Sequence, residues 1–469
     1  MLPLSTCWDT MTPNKSHWRR WGRNLEQWAY RGLDQHLRVG ITGLSGAGKT
    51  AFLTSLVHQL LHAEPQHLPM WQALSDGRLL GVQRQSQPDL ALLPFDYDNA
   101  IAGLCANPPQ WPPSTRGLSE IRLALRFAPA GGLKRQLIDH LTLYLDLVDY
   151  PGEWLLDLPM LNLEFADWSR QQWQMLSAPP WNETTGAWLA EVEQLSDEAG
   201  IEPLAAQYGS LLGELRQSLA ATYLQPGRAL LPAELAGTPI LAFFPLSPQR
   251  LEQHDDPLVA VLRSRYDAYC EQVVKPFYRK HFARFDRQVV LVDTLGALDK
   301  GHAQITQMAD AIQAIQQSFH YGPGSLLRRL FRPRIDKLLF AAGKADHITV
   351  DQHANLLSLT DSLMGQSGRL ARFSGSKVET MVLSAIRASQ QGQVDRGGLI
   401  PVIRGVDMAQ QAVTRFPGEV PSQLPEPSFW QQQGFEFGRL APPQLGSVQA
   451  PLPHMRMDHL IEWMLGDKM

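Results

Sequence analysis

Cysteine is scarce in this chain: three in 469 residues, Cys7, Cys105 and Cys270, far apart and without a C-x-x-C pair. An odd, scattered set supports neither a disulfide framework nor a zinc site and fits a reducing compartment. Long apolar runs are missing as well. A spanning helix needs about 18 uninterrupted apolar residues, and the best stretch here, PILAFFPL, is far shorter. The start, MLPLSTCWDTMTPNK, has no basic segment followed by an apolar stretch of signal-peptide length. Charge of one sign is also lacking. A formal net charge of -4 gives no global pull toward nucleic acid or acidic membranes, so no specific nucleic-acid partner is expected. These absences predict a soluble, cytoplasmic protein. No internal repeat is found.

What is present is an ordinary globular composition, 44% hydrophobic and 19% charged, in a chain long enough for two or three structural units. Residues 16–33, SHWRRWGRNLEQWAYRGL, mix three tryptophans with four arginines at roughly helical spacing. Such a helix can pack its tryptophans on the domain or make weak peripheral contact with a membrane surface. A strand is predicted over 37–42 and a helix from Thr50 to about His62, with Phe52, Leu53, Leu56, Val57, Leu60 and Leu61 on one face. Residues 64–117 read as irregular, rich in proline and turn formers. The runs IRLALRF and LTLYLDLVD alternate apolar and polar residues, as in a hairpin that adds an antiparallel edge to a sheet. From Trp154 to about Arg287 the pattern is mainly helical. Strand-like runs return at 288–296, 335–346 and 377–389, separated by helix-length segments, the rhythm of a mostly parallel sheet. A proline-rich stretch and a helix, HLIEWML, complete the pattern.

Residues 43–50, GLSGAGKT, fit G-x-x-x-x-G-K-[ST] between an apolar strand and an amphipathic helix. Glycines let such a loop turn its amide N–H groups inward, and the helix N-terminus adds its positive dipole end. The candidate nucleotide contacts here are Ser45, Gly46, Ala47, Gly48, Lys49, Thr50 and Ala51. Lys49 suits the β- and γ-phosphates, and the Thr50 hydroxyl suits Mg²⁺. A carboxylate at a strand end should share that metal. Asp149-Tyr150-Pro151-Gly152 fits the D-x-x-G pattern of GTPases, in which the glycine amide meets the γ-phosphate. Asp293-Thr294-Leu295-Gly296 fits it too, but Asp149 ends the strand after the hairpin, as the motif requires, and Asp293 suits a helix cap.

Base recognition separates GTPases from other proteins with this loop. Gly343-Lys344-Ala345-Asp346 ends a later strand. An aspartate there accepts from both N1–H and the 2-amino group of guanine, which adenine does not offer, and the lysine stem covers the base. The usual Asn or Thr before the lysine is Gly343, so its tether to the phosphate loop is missing; the plain alternative is that Asp346 only caps a helix. Ala385 and Ile386, within Ser384-Ala385-Ile386-Arg387, take the place of a backbone element that also contacts guanine. Before the hairpin, Trp111-Pro112-Pro113-Ser114-Thr115-Arg116 offers Thr115, or its rival Ser114, to Mg²⁺ when a γ-phosphate is present. Arg116 is either an internal arginine finger or a surface charge. Glu153 stands where many GTPases place the glutamine that orients water. Its charge repels the γ-phosphate, so turnover on the order of the slow intrinsic rates, well under one per minute, is expected.

Together GLSGAGKT, WPPSTRGLSEIRL, LDLVDYPGEWLLDLPML, VVLVDTLGAL, FAAGKADHI and VLSAIRA resemble the YcjX-like family of bacterial P-loop proteins, from the tryptophan-rich segment nearly to the C-terminus. The resemblance implies a stress-associated GTPase with a Ras-like core and a helical domain, and implies that Trp111 and His347 line the nucleotide site. The expected fold is therefore α/β, a P-loop NTPase with a Ras-like G domain and a mixed, mostly parallel sheet. Its expected divisions are an N-terminal region over 1–36, the G domain over 37–152 and 288–405, a helical insertion over 153–287 and an extension over 406–469. The function expected is Mg²⁺-dependent binding and slow hydrolysis of GTP to GDP, read by an unknown protein partner. An ATPase of the same fold remains open. So does a scaffold without turnover, in which the N-terminal helix and Arg328, Arg329, Arg332 and Arg334 meet a partner or membrane.

Overall fold

The computed structural model describes residues 34–43, 46–113, 117–131, 139–219, 221, 223–253, 256–318, 335–364, 377–395, 397–432, 435 and 437–469. The tryptophan-rich segment 16–33, Ser45, the stretch 114–116 and the arginines at 328–334 lie outside them.

Strands rich in Val, Leu and Ile build the centre of an eight-stranded sheet, and those near its middle at 287–292 and 337–342 are apolar on both faces. They are β1 (Gln35–Gly43), β2 (Leu79–Gln85), β3 (Leu93–Pro94), β4 (Ser119–Phe127), β5 (Leu141–Asp149), β6 (Arg287–Val292), β7 (Lys337–Ala342) and β8 (Lys377–Val382). The order is β2-β4-β5-β1-β6-β7-β8, with β3 paired to β4. β5, β1, β6, β7 and β8 run parallel, and β4 is antiparallel to β5 and β2. Register sets the β5 terminus level with the phosphate-loop strand, Asp149 lying opposite Ile41.

Alternation sorts these strands between two cores. Val39, Ile41, Leu145, Leu147, Val289 and Leu291 face α1 (Lys49–Leu61), whose buried face carries Phe52, Leu53, Leu56, Val57 and Leu60. Val148, Val290, Val292, Leu338 and Phe340 point the other way, into a core shared with the helical residues between β5 and β6. That helical segment opens with a 3-10 stretch, Gly152–Asn162. It continues through α2 (Phe165–Leu176), α3 (Asn182–Gln194), α4 (Ile201–Ser218) and α5 (Pro257–Tyr269). Its tryptophans and tyrosines interlock: Trp168 lies 5.3 Å from Phe243 and from Tyr266, ring centre to ring centre, and Trp188 stacks on Tyr208 at 4.9 Å. Helices α6 (His302–Ser318) and α7 (His353–Leu363) complete this side. Helix α8 (Met457–Leu465) closes the other core.

Three sequence expectations change. The hairpin strand IRLALRF is β4, but it is not the edge, because β2 pairs outside it. β2, LLGVQRQ, is largely exposed and carries no apolar alternation, so nothing in its sequence marks it within the stretch read as irregular. Helix Tyr97–Cys105 lies in that stretch too. The predicted strands at 288–296 and 377–389 are shorter, because Asp293 caps the helix Thr294–Asp299 and the chain leaves the sheet after Val382. Residues 389–415 instead form a separate three-stranded antiparallel sheet, β9 (Ser389–Asp395), β10 (Leu399–Val406) and β11 (Ala412–Arg415). Among the described residues no helix is long and apolar enough to cross a membrane.

Candidate functional site

β1 lies between β5 and β6, the chain building the sheet on one side of β1 as far as β5 and then crossing to the other side for β6, so the C-terminal ends of these strands open a crevice where ligands of α/β sheets bind. The glycine turn fills this place. Gly46 and Gly48 have φ of 80° and 75°, the left-handed region where a side chain is strained. Gly48 is also the N-cap of α1, and no acidic residue sits in its first turn, so the helix presents a positive end to an anion.

Lys49, at the start of α1, reaches across the turn. Its Nζ lies 2.9 Å from Asp149 Oδ1 and donates to the Tyr150 carbonyl at 3.0 Å. Thr42 Oγ1 donates to the same carbonyl at 3.2 Å. The Asp149 carboxylate is fully buried, yet neither oxygen accepts a well-directed hydrogen bond. The Lys49 contact is therefore an ion pair of poor angle. A buried carboxylate with open lone pairs, facing the lysine that precedes Thr50 at the head of the phosphate-loop helix, fits a hard cation. Among the described residues no cluster of three or more His, Cys, Asp or Glu forms a metal cage. That donor set suits Mg²⁺, which keeps waters and phosphate oxygens in its shell.

Beyond Gly152, Glu153 is buried and pairs with Arg216, Nη2 to Oε1 at 2.6 Å. This arginine lies in the last turn of α4, in a segment with no motif to mark it.

At the end of β7 the chain takes a left-handed residue, Lys344 (φ 59°), and then one 3-10 turn, Ala345–His347. Asp346 does not cap that turn. Its carboxylate, 1% exposed, accepts from Ser384 Oγ at 2.6 Å and from the Ala388 N–H at 2.7 Å. Its own carbonyl takes a short bond from the Ser389 hydroxyl. Two donors leave half of a carboxylate's lone-pair sites for a ligand. Lys344 Nζ pairs with Asp293 Oδ2 at 2.5 Å, while Asp293 Oδ1 accepts from the Gly296 N–H. A Cβ built on Gly46 would lie 3.4 Å from Asp293 Oδ2, and one on Gly343 would lie 3.6 Å from the Ala47 carbonyl. The ends of β6 and β7 thus stand against the glycine turn. Ser55 of α1 donates to the Ala385 carbonyl at 2.5 Å, joining the phosphate-loop helix to the Ser384–Arg387 loop. That loop carries Ile386, itself buried.

Trp111 and His347 meet a segment that the sequence did not single out. The Trp111 indole donates to the Leu440 carbonyl at 2.9 Å, and His347 hydrogen-bonds the backbone at Gly438. Burial holds the His347 imidazole below its usual pKa against the pull of Asp346. Ser45, Ser114, Thr115 and Arg116 lie outside the described residues. The structure thus brings Gly46–Thr50, Asp149, Gly152, Lys344 and Asp346 to one end of the sheet, and leaves Glu153 tied to the helical segment.

A mostly parallel sheet whose first strand turns through glycines into a helix, with a lysine facing a strand-end aspartate, defines an α/β protein of the P-loop class with a large helical insertion. The chain belongs to the YcjX-like family, DUF463, whose model matches residues 37–469. It is similar to the "Ras-like GTPase YcjX" of Shewanella oneidensis, 47% identical over 465 residues covering 94% of this chain and 96% of that protein. It is also similar to the "Ras-like GTPase YcjX" of Escherichia coli, 44% identical over 471 residues, 96% of this chain and 100% of that one.

Proposed function

We propose that the protein binds GTP with Mg²⁺ and hydrolyses it slowly to GDP, as a nucleotide-dependent switch. The observation that carries this reading is Asp346, buried at a parallel strand end with its carboxylate held by Ser384 and Ala388. The names of the relatives agree with it. In this reading Gly46–Thr50 wrap the phosphates, and Lys49 leaves Asp149 for the β- and γ-phosphates. Thr50, Asp149 and Thr115 hold the Mg²⁺, which when bound neutralises charge on the phosphates. The Gly152 amide meets the γ-phosphate, Asp346 takes the guanine edge, and the Lys344 stem covers the base. Trp111, His347, Ala385 and Ile386 line the pocket. A role in a stress response is proposed on the family resemblance, and a cytoplasmic location on the composition.

Competition between GTP and ATP for a fluorescent nucleotide, with and without Mg²⁺, tests the reading. GTP should win by at least about 100-fold, since a site built for a hydrogen-bonding pair rejects the ligand lacking it. Asp346→Asn should lose GTP and gain xanthosine triphosphate. Equal binding of ATP and GTP, unchanged in that variant, would overturn the guanine reading. Phosphate release by the wild type, lost in Lys49→Ala, tests turnover itself.

A further inference from the structure

The position after D-x-x-G poses a problem that the helical segment answers. Glu153 holds the sequence position at which many GTPases carry the glutamine that orients water, but a bare carboxylate repels the phosphate that water must attack. Arg216 Nη2 lies 2.6 Å from Glu153 Oε1, with side chains only 27% and 11% exposed. The backbone beneath Glu153 is fixed from the same side. Gly227 sits so close that a Cβ there would overlap the Glu153 carbonyl. The Gly227 N–H donates to Asp157 at 2.7 Å, and the Tyr269 hydroxyl donates to the same carboxylate at 2.5 Å. The Arg228 guanidinium lies 3.3 Å over the Trp154 ring. Glu153 is thus held in place and in charge by groups that all come from the helical insertion.

We propose that Arg216 is a positioning residue for hydrolysis: it cancels the charge of Glu153 and turns its carboxylate so that an oxygen accepts a hydrogen bond from the attacking water. This rests on the GTPase reading above. In the step itself the water oxygen bonds to the γ-phosphorus and the bond from that phosphorus to the β–γ bridging oxygen breaks. The electron pair stays on the β-phosphate of GDP, and the water protons leave with inorganic phosphate and solvent. Glu153 orients without taking a proton. Removing one partner of a part-buried pair also costs stability, so rate, affinity and melting temperature are read together.

The test uses the full chain: wild type, Arg216→Ala, Glu153→Gln and the double variant, with single-turnover phosphate release, GTP affinity and melting temperature measured for each. Arg216→Ala should lower kcat at least about tenfold, in the range lost with other preorganised electrostatic groups, with GTP affinity unchanged within about threefold. Adding Glu153→Gln, which removes the exposed charge, should restore at least about fivefold of that loss, a rescue expected of residues acting through one another. A wild-type rate in Arg216→Ala, or a double variant no faster than Arg216→Ala, would overturn the proposal. If Arg216→Ala melts early, Arg216→Gln carries the same expectations with the side chain's length retained. A wild type that binds GTP and releases no phosphate overturns the hydrolysis reading and this proposal together. A wild type that turns over without the rescue overturns this proposal alone.

Discussion

His58 shows how far a side chain on the phosphate-loop helix can be from the phosphates and still matter. Its Nδ1 meets the Tyr97 hydroxyl at 2.9 Å and its Nε2 the Ala450 carbonyl at 2.8 Å, so it joins α1 to two distant stretches of chain. Burial, helped by His62 and opposed by the Ala450 carbonyl, lowers its pKa to about 4. His281 is lowered to about 4 in the same way. An unfolded histidine takes its proton near pH 6.5, so the folded state gives up stability as pH falls from there toward 4, by about 3 kcal/mol for the buried His58 and by less for the partly exposed His281. Asp157 works against this between about 4 and 6, because burial pushes its carboxyl up to about 6. A neutral replacement isolates the histidine term. In urea titrations at pH 7 and pH 4.5, His58→Gln should lose less stability between the two than wild type loses. At this scale the sequence was legible where spacing is fixed. The lysine and threonine of the glycine loop, the aspartate of D-x-x-G and the K-x-D pair stand at set distances from strand ends. Arg216, Asp293 as the partner of Lys344, and Gly438 were not legible, since those contacts exist only after distant segments meet.

Among elements, legibility followed burial. β6 and β7 are apolar on both faces and β1 carries a buried face of Leu37, Val39 and Ile41, so they announce themselves, whereas β2 is an edge whose residues face water and β9–β11 alternate only weakly. The one-turn helix Gly227–Leu230 has no pattern at all, yet its first residue is among the most constrained in the chain. A methyl group there meets the Glu153 backbone, which cannot swing aside as a side chain can. Gly227→Ala should therefore cost about 1–3 kcal/mol by overpacking, read as a lower denaturation midpoint with an unchanged slope. The loss should be larger than for Gly213→Ala, where a Cβ meets open space on α4.

Across the whole molecule, the helical insertion shares one continuous core with a face of the sheet. Close-packed cores move between discrete arrangements rather than bending smoothly, so a shift at Gly152 should carry the insertion with it. Hydrogen exchange should report this. Replacing GDP with a non-hydrolysable GTP analogue should change protection in 152–162 and 225–230 together, and change in the first without the second would break the proposed coupling.

The sheet order has a further consequence, for birth rather than for function. β1 ends at Gly43 and its neighbour β6 begins at Arg287. At about 5–20 residues per second, a ribosome takes on the order of 10–50 s to make the chain between them. Once β5 has been made within that interval, β1 can pair with it but keeps one flank of unmatched amides and carbonyls until β6 arrives, the kind of edge on which nascent chains aggregate. The helical insertion is made in that gap, and the nucleotide cradle is not walled on both sides until it has emerged.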